Sequence, residues 1–333
     1  MSRPACSEVD YILFLLGAPR TVTCTEAARC LGGDIATSTS HDAYTRLLAR
    51  QALDTESLWV EAKTLVKMNG DALVLDDSTL DKPYAREIEL VTYHWSGKHH
   101  DVVRGINLLT LLWTDGDAKV PCDFRLYDKP IGGQTKNEHF RRMLNVAKER
   151  GFSPEMVIFD SWYASLENLK HIRGLGWSWF TRLASNRLVT PTLGQKASIQ
   201  TIDIPEGGRR VHVQGYGFVR VFRTVDADGE VQHWATSHIT MTEAQRAMWG
   251  QHGWAIEVYH RGIKQHCNVE RCQARREDVQ TGHILLSLRA FLRLEAHRLR
   301  TGVSWMSVKL QIIRGAVRDF VKNPFIPARL ATA

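Results

Sequence analysis

At 333 residues the chain exceeds one typical domain, with length for two or three modules around a sizeable buried core. A hydrophobic content of 44% and a charged content of 24% exclude a disordered or fibrous chain. The formal net charge of +7 favours a polyanionic partner, because neutralising phosphates releases counterions.

Residues 1 to about 65 read as helical, with a segment from Cys24 to Leu31, a Gly32-Gly33 break, and a second helix opening near Ser40. Two short helices across a glycine turn fit a helix-turn-helix whose second helix offers His41, Arg46 and Arg50 to a DNA groove. They equally fit a small helical bundle packed on the core. From Asp71 the pattern turns strand-like, at Ala72 to Leu75, Ile88 to Trp95, Ile106 to Trp113 and Cys122 to Tyr127. An amphipathic helix from about Asn137 to Arg150, the apolar run Met156 to Phe159 and a helix from about Leu166 to Leu175 follow. This order predicts a mixed α/β sheet covered by helices.

Alternating runs at Arg209 to Val213, Tyr216 to Phe222 and Val231 to Thr236 predict a small β-rich insertion. After Thr240 the chain reads helical through Glu257, then from about His283 to Arg300 and from about Trp305 to Val321, ahead of the Pro324 and Pro327 breaks. The longest apolar stretches, such as Tyr11 to Leu16, are too short to span a bilayer, so no membrane partner is expected. Six cysteines without a regular framework, and no secretory signal pattern, predict a reducing cytoplasmic setting. His260, His266, Cys267 and Cys272 lack the spacing of a zinc finger, and no phosphate loop for ATP is present.

Two segments share a form: Ala72-Leu73-Val74-Leu75 runs into Asp76-Asp77, and Met156-Val157-Ile158-Phe159 runs into Asp160. Continuous apolar runs suit central strands covered on both faces, and ligands bind at the carboxyl ends of such strands. If the two strands are neighbours, Asp76 and Asp160 converge, and converging carboxylates call for a shared proton or a hard metal ion. Glu257 is the candidate third acid. On a helix it shares one face with Arg261 and Lys264, one acid for metal and two cations for phosphate. Taken singly, an Asp after a strand also suits an ordinary turn, and Glu257 with Arg261 a surface ion pair.

The segments Leu73 to Thr79, Val157 to Ala164 and Trp254 to Gln265 resemble insertion-sequence DDE transposases, particularly the insertion sequence 4 and insertion sequence 701 groups. The resemblance spans about residues 70 to 300 and implies an RNase H-like core. It implies catalytic and metal-binding roles for Asp76, Asp160 and Glu257, with two Mg2+ ions for which Mn2+ substitutes. The family pattern of Asp, any residue, then Ser or Thr selects Asp76 over Asp77, which stays as the alternative. Spacings of 84 residues from Asp76 to Asp160 and 97 from Asp160 to Glu257 suit a core interrupted by an insertion. Lys264, seven residues after the Glu, matches the family's lysine. The family's Tyr and Arg, seven and four residues before it, are replaced by Gly250 and Gly253.

The resemblance divides the chain into a helical DNA-binding module (1–68), a first part of the catalytic core (69–184), a β-rich insertion (185–240), a second core part (241–302) and a C-terminal helix and tail (303–333). It implies hydrolysis at transposon ends to free a 3′-OH, then attack of that 3′-OH on target DNA. The partner is double-stranded DNA, as inverted repeats and target, bound by a homodimer or larger assembly in a bacterial nucleoid. Lys264, Arg261 and Arg271 are the candidate backbone contacts, Arg46 and Arg50 the candidate groove contacts, and Arg182 or Arg261 a substitute for the missing cation. Trp234 is the candidate to stack on a flipped base, or else a core residue. The arginines from Arg289 to Arg300 read as phosphate contacts or a solvated helix face. A DNA-binding protein or repressor without catalysis, and a metal nuclease without joining, are the alternatives.

Overall fold

The computed structural model describes residues 6–20, 22–31, 39–52, 54, 56–96, 101–127, 133–192, 194–226 and 228–326. In chain order these form helices α1 (Glu8–Gly17), α2 (Cys24–Leu31), α3 (His41–Gln51) and α4 (Glu56–Ala62), then strands β1 (Ala72–Asp81), β2 (Thr92–Ser96), β3 (Asp101–Thr114) and β4 (Val120–Tyr127). Helix α5 (Lys136–Glu149), strand β5 (Met156–Phe159), a 3-10 turn (Ser161–Tyr163), helix α6 (Leu166–Gly174) and strand β6 (Trp179–Leu183) follow. Strands β7 (Leu188–Thr192), β8 (Gln195–Ser198), β9 (Arg209–Val213), β10 (Gly217–Val225) and β11 (Val231–Thr236) lead into helices α7 (Glu243–His266), α8 (Glu277–Thr301) and α9 (Trp305–Lys322). No helix among the described residues is long and apolar enough to cross a membrane.

One mixed sheet runs β2-β3-β1-β5-β6-β11-β10-β9-β7-β8, with β4 paired to β3. Within it, β4-β3-β1-β5-β6 has only β3 antiparallel to its neighbours, the arrangement of an RNase H-like core. The apolar run Ala72 to Leu75 lies between β3 and β5, and all four residues are buried. Strand β1 does not stop at Asp76, as the sequence pattern suggested. It continues to Asp81 against β3 alone, because β5 ends at Phe159. The later strands extend the same sheet through the pairing of β11 with β6.

Helix α5 starts at a capping box in which Thr135 and Glu138 satisfy each other's backbone N–H groups. Its Phe140, Met143, Leu144 and Ala147 form a buried stripe at helical spacing. Phe140 meets Phe159 edge-on at 5.2 Å, so α5 covers the sheet face that carries Phe159.

The chain divides into two compact units. One holds the sheet, with Trp59–Pro83 and Val91–His260; the other holds the residues up to Leu58, Tyr84–Leu90 and those from Arg261 onward. Sequence alternation suggested a strand from Ile88, but residues up to Leu90 belong to the helical unit and β2 begins at Thr92.

Within the helical unit α3 buries Tyr44, Leu47 and Leu48. A Cβ at Gly282 of α8 would run into the carbonyl oxygen of Leu48, so only glycine permits this backbone contact. Tyr11 OH and His283 Nδ1 share a hydrogen bond of 3.0 Å in the interior. Arg289 is buried and donates to both oxygens of Glu8, at 2.7 and 3.0 Å. Arg298 holds the buried Glu295 at 2.8 Å. These two arginines serve the core of the unit rather than a solvated face. The Gly32-Gly33 break and Pro327 lie outside the described residues.

Candidate active site

The parallel register of β1 and β5 sets Leu75 opposite Phe159, which brings Asp76 and Asp160 to the next rung. Asp160 leaves the strand there and caps the 3-10 turn, its Oδ1 accepting from the Ser161 N–H at 2.6 Å. Alternation puts Val74 and Asp76 on one face of β1, and Ile158, paired with Val74, on the same face. Helix α7 packs on this face so closely that a Cβ at Gly253 would lie 3.1 Å from Ile158 Cγ2. The glycine that departs from the family pattern is thus where helix and sheet meet. Glu257, one turn further along the same side of α7, is exposed.

The electrostatics record the convergence. Burial first, and then the charges of Asp77, Glu257 and Asp160, push the Asp76 carboxyl well above the usual carboxylate range.

Asp77 points to the opposite face and is fully engaged there. It accepts from Tyr163 OH at 2.5 Å, Asn107 Nδ2 at 2.7 Å and Lys136 Nζ at 2.8 Å. Burial alone would raise its carboxyl, but Lys136, Asn107 and Tyr163 together hold it below its ordinary value. The Tyr163 phenol is pushed up by burial and by Asp77. Of the adjacent pair, Asp76 is therefore the one turned toward Asp160 and Glu257. Lys136, Tyr163 and Asn107 were not singled out by sequence. Tyr163 sits in the Asp160-Ser161-Trp162-Tyr163 segment, which was the available signal.

Among the candidate cations, Arg182 Nη2 lies 3.6 Å from Asp160 Oδ1, with both side chains about half exposed. The Arg182 guanidinium also stands 5.6 Å from the Trp234 ring centre, its cross-strand neighbour. Trp234 stacks on Phe180 at 4.9 Å with the rings 7° from parallel, and its Nε1 donates to Thr224. Its ring packs on the sheet on that side and is half-buried. Lys264, Arg261 and Arg271 belong to the helical unit. There Lys264 pairs with Glu270 at 3.2 Å, while Arg261 and Arg271 are exposed. Arg46 and Arg50 lie on the exposed side of α3, away from its buried Leu47 and Leu48.

The family described as DDE superfamily endonuclease matches residues 7–211. This chain belongs to it. The matched segment carries Asp76, Asp77 and Asp160 and ends before Glu257. The endonuclease is also similar in fold to a piggyBac transposase synaptic complex with hairpin DNA, with 12% identity over all of this chain and 80% of that one, at a TM-score of 0.53. A Mos1 strand transfer complex matches over 54% of this chain and 58% of that one, with 12% identity and a TM-score of 0.20. No curated protein matches.

DDE superfamily endonucleases generally use divalent metals. The donor chemistry of this endonuclease fits a hard divalent cation: carboxylate oxygens from two neighbouring strands and one helix, with the ionised Asp76 opposed by burial and then by its neighbours' charge. Among the described residues no group of three His, Cys, Asp or Glu side chains is gathered closely enough to hold a metal ion as it stands. Asp160 is turned toward the Ser161 N–H and Arg182.

Proposed function

We propose that this DDE endonuclease is a transposase that cuts DNA at the ends of a mobile element and joins the freed 3′-OH to target DNA. The observation that carries the reading is the adjacency of Asp76 and Asp160 on parallel strands, under a helix that brings Glu257 to the same face. Family membership and the likeness to the piggyBac fold support it.

In this reading Asp76, Asp160 and Glu257 would hold two Mg2+ ions, or Mn2+ in their place. Such ions activate an attacking oxygen and stabilise a leaving one. Asp76, whose ionised form is opposed by burial and then by its neighbours' charges, would supply one oxygen ligand. Glu257 closes the set from the helix. Arg182, which pairs with Asp160, would meet a phosphate of bound DNA. Lys264, Arg261 and Arg271 contact the DNA backbone, positioning it without reading sequence. Helix α3 presents Arg46 and Arg50 to the terminal repeat, in a DNA-binding module of residues 1–68. Double-stranded DNA is the substrate, and pairing two ends requires a homodimer or larger assembly.

The test is a strand-transfer assay with labelled DNA from the flanks of the gene, in Mg2+. Wild-type protein is expected to join labelled ends and Asp160→Ala to join none. Equal joining by Asp160→Ala would refute the site. Cutting without joining by the wild type would reduce the protein to a nuclease.

A further inference from the structure

Thr110 lies directly across the β1–β3 ladder from Asp76. Directly opposed residues of an antiparallel pair project to the same face, with their Cβ atoms about 5 Å apart. Thr110 is fully buried, and its Oγ1 has no hydrogen-bond partner in the structure. A buried hydroxyl without a partner is destabilising and calls for an explanation. The neighbouring groups differ sharply in what they could offer it. Asp77 lies on the other face and accepts there from Tyr163, Asn107 and Lys136. On Thr110's own face, directly across the ladder, stands the Asp76 carboxylate.

We propose that Thr110 is a positioning residue for the acid cluster: when the Asp76 carboxylate turns to a divalent cation, the Thr110 hydroxyl donates to it and sets its orientation. This rests on the reading of Asp76, Asp160 and Glu257 as a cation site. The carboxylate has two oxygens and several lone pairs, so it can accept from Thr110 while ligating with another pair. Groups that hydrogen-bond to metal ligands commonly change metal affinity by about 10-fold to 100-fold when removed. No proton changes hands. The hydroxyl acts by fixing a rotamer and by filling an acceptor site that water would otherwise take.

The experiment titrates Mn2+ into the full chain without DNA, reading free Mn2+ by electron paramagnetic resonance, and measures melting temperature with and without Mn2+. Thr110→Val keeps the branched shape and removes the hydroxyl, and Thr110→Ser keeps the hydroxyl. Thr110→Val is expected to weaken Mn2+ binding about 10-fold. It should melt no lower than wild type in cation-free buffer, since it discards an unpartnered hydroxyl, and should gain less on adding Mn2+. Thr110→Ser should bind Mn2+ within about twofold of wild type. Unchanged Mn2+ affinity in Thr110→Val overturns the role of Thr110, as does a lower melting point without cation, which would mark a purely structural hydroxyl. Asp160→Asn separates the two levels. If it binds Mn2+ like wild type, the cation site itself is refuted. If it loses Mn2+ while Thr110→Val does not, only the positioning role falls.

Discussion

Replacing Lys136 with Met withdraws a charged donor from Asp77, and the structure sets the size of the loss. The pair is 2.8 Å apart, with the Lys136 and Asp77 side chains only 16% and 20% exposed. Removing one partner of a buried ion pair costs about 3–5 kcal/mol, because the other charge is left uncompensated. Asn107 and Tyr163 still donate to Asp77, which offsets part of this and puts the expected loss at about 2–3 kcal/mol at pH 7. Contacts of Lys136 with the Trp162 and Tyr127 rings, at 5.4 and 5.5 Å, disappear as well.

The pH dependence carries the sharper test. In the wild type Asp77 is held below its ordinary range, so its stabilisation is fully present at neutral pH. It fades as pH falls through the lowered folded value. Without Lys136, burial dominates and raises the folded value above the unfolded one. The variant then pays for ionisation at pH 7 and recovers as pH drops toward the ordinary carboxylate range. The difference between the two proteins should therefore shrink from pH 7 to pH 5. Urea denaturation followed by tryptophan fluorescence in cation-free buffer measures it. Adding Asp77→Asn to Lys136→Met should restore most of the stability. A loss under about 0.5 kcal/mol, a pH-independent loss, or a double variant as weak as Lys136→Met would refute the argument.

Gly282→Ala drives a Cβ into the Leu48 carbonyl and should destabilise the helical unit by about 3 kcal/mol, read as a lower thermal midpoint. Trp234→Ala removes a half-buried ring from Phe180 and should cost about 2 kcal/mol, while Trp234→Phe keeps the stack and should cost under about 1 kcal/mol in the same denaturation assay.

The sequence made the central strands legible because two-sided burial leaves an uninterrupted apolar run, as at Ala72 to Leu75 and Met156 to Phe159. It hid the rest of β1, since Asp76 to Asp81 pair with β3 only and alternate like a loop or an edge. The strands Leu188–Thr192 and Gln195–Ser198 were missed because each is short and has little buried apolar surface to give it a period. For the candidate site, strand endings and helix spacing indicated the three acids, and the family pattern favoured Asp76. What separates Asp76 from Asp77 physically is a set of partners at long range: Lys136 stands 59 residues from Asp77, and Tyr163 stands 86. No local spacing encodes such contacts. Thr110 is likewise visible only through strand register.

The central claim is that Asp76, and not its neighbour, joins Asp160 and Glu257 in the cutting site. Single-turnover cleavage of end-bearing DNA in Mn2+ tests it when Asp76→Asn, Asp77→Asn, Asp160→Asn and Glu257→Gln are run beside wild type. Loss of at least about a hundredfold in Asp76→Asn, Asp160→Asn and Glu257→Gln, with Asp77→Asn within about tenfold of wild type, is the predicted result. An active Asp76→Asn beside an inactive Asp77→Asn would contradict it.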